Sequence, residues 1–76
     1  MSRYFVLAYR RSQGRLVEDV YETAALADAV GRRVAWEEKY RPEKLDVEVA
    51  ILTSPSLEDL KRTHARYFKT AAELTG

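Results

Sequence analysis

The chain has no cysteine and a single histidine, His64. Disulfides, thiolate metal sites and imidazole clusters are thereby excluded, so the fold must be held by packing. Glycine is scarce too: Gly14, Gly31 and Gly76 are the only ones, and none sits in a glycine-rich loop. Phosphate loops, dinucleotide fingerprints, calcium loops and zinc-ligand spacings are all missing. No apolar run approaches the roughly 20 residues of a spanning helix. The N-terminal run ending at Tyr9 is too short, and too soon followed by Arg10 and Arg11, to be a signal core. Net charge is nearly absent, with 13 Lys and Arg against 12 Asp and Glu leaving +1. These absences predict a cytoplasmic protein with no cofactor, no metal and no membrane partner.

What is present is a globular composition, 46% hydrophobic and 33% charged over 76 residues, suited to one domain over residues 1–76 with one core. Residues 3–10 read as a strand of aromatic, branched and apolar residues, with Tyr4, Val6 and Ala8 on one face and Phe5, Leu7 and Tyr9 on the other. A polar link follows in which Gly14 suits a positive φ. A second strand over 16–22 carries Glu18 and Asp19 at interior positions, which marks it as an edge. Helical spacing governs 23–41, with Thr23 as N-cap and Arg41-Pro42 as the stop. Period-two alternation returns over 46–53, where Val47, Val49 and Ile51 share a face. Ser56 with Asp59 resembles a capping box for a last helix over 56–74.

The implied fold is an α+β domain of two layers, β-β-α-β-α, with a three-stranded antiparallel sheet in the order 2-1-3. A right-handed crossover makes the second and third strands parallel, and the doubly apolar first strand belongs between them. If both helices cover one face of the sheet, the other face shows water an apolar patch that monomers seldom keep. That favours a homodimer over the alternative of one helix per face.

On the first helix the apolar arc runs from Trp36 and Ala29 through Tyr40 and Leu26 to Val30 and Val34, and encloses Arg33 and Glu37, four residues apart. Those two either snorkel at the rim or make a polar contact across an interface. The candidate interface is therefore Tyr4, Val6 and Tyr9 of the sheet with Arg33, Trp36, Glu37 and Tyr40 of the helix end. His64 lies central in the apolar arc of the last helix, and with no second histidine, cysteine or nucleophile motif to complete a site it reads as a polar core residue. Catalysis is not expected. The first-choice function is a non-enzymatic interaction domain binding itself or another protein. The alternative is a nucleic-acid-binding domain using Arg10, Arg11 and Arg15 around the hairpin and Arg62, Arg66 and Lys69 along the last helix. The near-zero net charge weighs against it.

Overall fold

A computed structural model describes residues 2–68. Strand β1 (Arg3–Arg10) is paired along its whole length with β4 (Val47–Ser54), antiparallel, from Arg3 against Ser54 to Arg10 against Val47. That occupies one edge of β1. Its other edge is shared by two short strands, β2 (Arg15–Leu16) and β3 (Tyr21–Thr23). The sheet thus has three rows with β1 in the middle, the predicted order and an α+β class.

The second row is interrupted where a continuous strand over 16–22 is expected. Tyr9 faces Leu16 and Val6 faces Tyr21, so Val17, Glu18, Asp19 and Val20 all fall opposite Leu7 and Ala8. The surplus residues bulge, which lets Glu18 leave the ladder. Its carboxylate accepts from Lys39 Nζ at 2.5 Å and from the Tyr40 hydroxyl at 2.6 Å, at the end of helix α1 (Leu26–Lys39). These bonds hold the Glu18 carboxyl below its ordinary range and push the Tyr40 hydroxyl and Lys39 ammonium above theirs. Gly14 takes the positive φ, 63°, that closes the hairpin.

Paired residues in a sheet share a face. Tyr4, Val6 and Ala8 therefore lie with Tyr21, Val47, Val49 and Ile51, and α1 packs Ala29 and Trp36 onto that surface. Phe5, Leu7 and Tyr9 share the opposite face with Leu52, Ala50 and Glu48. That face is covered by helix α2 (Leu57–Thr63), which brings the fully buried Leu60, and by a 3-10 turn, Ala65–Tyr67. The Tyr67 ring meets Tyr9 edge-on at 5.1 Å, and its hydroxyl donates to Glu48 Oε1 at 3.1 Å. Each face of the sheet thus carries its own helix. Three layers stand where two are expected, and Phe5 and Leu7 are buried without help from a partner. The molecule measures 35 × 31 × 14 Å. Three strand rows span only about 10 Å across the ladders while stacked layers lie about 10 Å apart, so the thin dimension runs across the strands.

The helix limits also differ from the pattern. Ala25, not Thr23, is the N-cap of α1; the Thr23 hydroxyl accepts from the Ala25 N–H at 3.1 Å and turns the chain before the helix begins. Ser56 caps α2 as expected, accepting from the Asp59 N–H at 3.1 Å. That helix stops at Thr63, whose hydroxyl bonds back to the Asp59 carbonyl at 3.0 Å, a contact that bends and weakens helices. The rest of the predicted 56–74 helix beyond Phe68 lies outside the described residues.

Candidate functional site

The feature that distinguishes this fold is the outer edge of β4. The Arg11 N–H donates to the Asp46 carbonyl at 2.8 Å, one step beyond the Arg10–Val47 pair in the same register. In an antiparallel ladder only alternate pairs exchange hydrogen bonds. Asp46, Glu48, Ala50, Leu52 and Ser54 therefore turn their N–H and C=O groups toward β1. Val47, Val49, Ile51 and Thr53 turn theirs outward, and among the described residues no strand pairs with them.

Natural sheets blunt such edges with lysine, proline, bulges or short strands. The opposite edge does so: β2 and β3 are two and three residues long, a bulge separates them, and Glu22 pairs with Arg3. The edge of β4 has none of these devices. It runs for eight residues without a bulge, and its four outward-bonding residues are all uncharged and β-branched, the type that best fits a pleated, paired surface.

Alongside lies the flank of α1. Only half of that helix's apolar arc is used by the core. Ala29 and Trp36 are buried, whereas Leu26, Val30 and Val34, one turn apart in succession, are 51%, 37% and 50% exposed. Val34 and Glu37 share a groove of roughly 670 Å³ with Val47 and Val49. The C-terminal end of that unused stripe, at Val34, thus lies beside the Val47–Val49 part of the open edge. The other flank of the helix faces the bulged row, where the Arg32 guanidinium lies 4.4 Å from the Tyr21 ring centroid.

The predicted interface residues divide accordingly. Val6 and Trp36 belong to the buried core, Tyr4 and Tyr40 pack against it, and Tyr9 is engaged by Tyr67 on the other face. Only Arg33 and Glu37 lie on the open flank, about half exposed, with Arg33 Nε 3.7 Å from Glu37 Oε1. Sequence reasoning missed Val47, Val49, Ile51 and Thr53 as edge residues. The order 2-1-3 already puts this strand at an edge; what it leaves open is which of its residues bond outward, and that follows only from the register against β1.

The basic residues are held by neighbours. Arg10 donates to Glu43 at 2.5 Å and to Asp46 at 3.2 Å, Arg11 to Glu48 at 3.3 Å, and Arg62 to Asp59 at 2.6 Å. Arg15 binds the Gln13 side chain, and Arg66 donates to the Tyr67 hydroxyl while lying 3.6 Å from Glu48. Arg11 and Arg66 thus meet around one carboxylate, although they come from opposite ends of the chain. Lys69 lies outside the described residues. Asp46 also accepts from the Ser12 hydroxyl and N–H, each at 2.7 Å, and these bonds, with Arg10, hold its carboxyl below the ordinary range. His64 ends α2, half-buried, its Nδ1 3.0 Å from the Thr63 hydroxyl and its ring stacked against Tyr67. It lies on the sheet face opposite Arg33 and Glu37, so the three form no common site.

None of the family models, curated proteins or solved structures compared with this chain matches it. Among the described residues no helix is long and apolar enough to cross a membrane. Function must be argued from the edge itself.

Proposed function

We propose that this chain is a non-catalytic protein-interaction domain of the cytoplasm that takes up an extended protein segment as a further strand along β4. The observation that carries this reading is the outward row Val47, Val49, Ile51 and Thr53, whose backbone groups have no partner strand among the described residues. Strand addition derives affinity from main-chain hydrogen bonds and selectivity from pockets for alternate side chains. Here the groove beside the edge offers Val34, Val47 and Val49 to apolar side chains of the incoming strand, while Glu37, Glu38, Arg41, Lys44 and Glu48 rim it with charge of both signs. The segment that fits is uncharged on that face and free of proline.

Nucleic acid is the lesser reading. A phosphate approaching Arg10, Arg11, Arg62 or Arg66 must displace Glu43, Asp46, Glu48 or Asp59 from its cation. The resulting surface offers little net positive field to a polyanion.

A labelled synthetic peptide of residues 46–54 at low concentration, titrated with the full chain up to millimolar, tests the proposal. Binding that is lost in a Val49→Pro chain that remains folded by circular dichroism supports it, because proline there removes an outward N–H and no hydrogen bond to β1. Equal binding by Val49→Pro, or none at millimolar chain, overturns it.

A further inference from the structure

Resting on the strand-addition reading, we infer that the occupant of this edge is β4 of a second copy, related by a two-fold axis perpendicular to the sheet. Such an axis pairs two β4 strands antiparallel and keeps both α1 helices on the same side. Two copies would form one continuous six-row sheet.

Two observations select a second copy over another extended segment. The first is charge. Arg33 and Glu37 stand one turn apart on the flank of α1 that overhangs the edge. An axis passing the helix between them sets each Arg33 against the other copy's Glu37, twice over. A surface carrying one charge of each sign at mirrored distances from an axis is complementary to itself. Arg33 Nε also has no hydrogen-bond acceptor among the described residues, Glu37 Oε1 lying 3.7 Å away, so the guanidinium is left with donors for a partner.

The second is reach. Helix α1 packs over β3, β1 and β4 alike, which centres it on β1, so three strand spacings of about 4.8 Å place the two helix axes about 14 Å apart. A helix with its side chains is about 10–12 Å wide. Long side chains such as Arg33 and Glu37 therefore meet across the gap, with Val34 beside the new ladder. Because Val34 and Glu37 share their groove with Val47 and Val49, the same axis passes close to Val49. The register follows: Val49 against its own copy and Val47 against Ile51.

Sedimentation equilibrium on the full chain tests this with Arg33→Glu, Glu37→Arg and their combination. A wild-type dimer is expected, weakened at least about tenfold by either single change through like-charge contacts. The double variant should restore it, and an equimolar mixture of the two single variants should form a heterodimer. Each change alters only an exposed pair, so the variants should fold. Val49→Cys adds a second readout in a chain without cysteine: opposed Cα atoms about 5.5 Å apart in a hydrogen-bonded pair suit a disulfide, so oxidation should give a covalent dimer. A wild-type chain that stays monomeric at several hundred micromolar overturns the second-copy inference, as does a dimer indifferent to both charge changes. If the 46–54 peptide still binds in either case, the strand-addition reading stands without it; if the peptide fails as well, both fall.

Discussion

The Arg11 N–H lies 2.8 Å from the carbonyl oxygen of Asp46, and this one bond fixes the parity of everything that follows in β4. Odd positions from Val47 to Thr53 bond outward and even ones bond to β1. The proposed function and the second-copy inference both depend on that alternation.

Parity is testable by proline. Ala50→Pro removes a donor from the β1 ladder and should cost about 3 kcal/mol or more, a large share of a stability of roughly 4–11 kcal/mol for a chain of this size. Val49→Pro should cost clearly less, because its N–H serves no partner strand among the described residues and only a partly buried side chain is trimmed. Thermal unfolding of the two variants side by side checks the contrast.

The helix on the second face is tested by Leu60. It is fully buried, and its truncation to alanine should cost about 2–5 kcal/mol, measured by urea unfolding. A loss under about 1 kcal/mol would mean that α2 does not seal Phe5 and Leu7.

Acid should destabilise the fold through the bulge and the hairpin. Glu18, Glu43 and Asp46 all titrate below their ordinary values when folded, through bonds from Lys39 and Tyr40, from Arg10, and from Ser12 with Arg10. A depressed carboxyl lends stability above its unfolded pKa and withdraws it as pH falls through the folded one. Stability should therefore decline from the ordinary carboxylate range downward, and Glu18→Gln should make that decline shallower. Tyr40 and Lys39 are raised, so their contribution is full below the unfolded values near 10 and is lost as pH climbs through the folded ones. Tyr40→Phe should cost about 1 kcal/mol at neutral pH and flatten the alkaline side. Denaturation midpoints across pH check both limbs.

Gly31 lies on the exposed side of α1, where an added Cβ would meet nothing within 4 Å. Close packing therefore does not require it. Gly31→Ala should stabilise the chain by up to about 1 kcal/mol, read as a rise in melting temperature.

How much of this was legible in the sequence depends on the range of the interaction. The central position of β1 follows from its two apolar faces, Tyr4-Val6-Ala8 and Phe5-Leu7-Tyr9, and the Ser56 cap and the Gly14 turn are local signals read correctly. The bulge at Val17–Val20 was not legible, because it is decided by Glu18 reaching Lys39 and Tyr40 more than twenty residues later. The side chosen by α2 was not legible either. Leu60 and Tyr67 suit either face of the sheet, and only tertiary packing sends them to Phe5 and Leu7. The helical arc from Trp36 to Val34 was drawn correctly, yet its width misled. Half of it serves the core, and the half at Leu26, Val30 and Val34 stays outside with Arg33 and Glu37.

The most direct test of the central claim is amide hydrogen exchange, resolved by residue, on the full chain with and without saturating 46–54 peptide, at a concentration where the chain alone is dilute. The account predicts that Val47, Val49, Ile51 and Thr53 exchange quickly alone and slow markedly with peptide, while the alternate residues, Glu48 to Ser54, are protected in both. Slowing concentrated at Tyr21–Thr23, or none at the four outward amides, would contradict it.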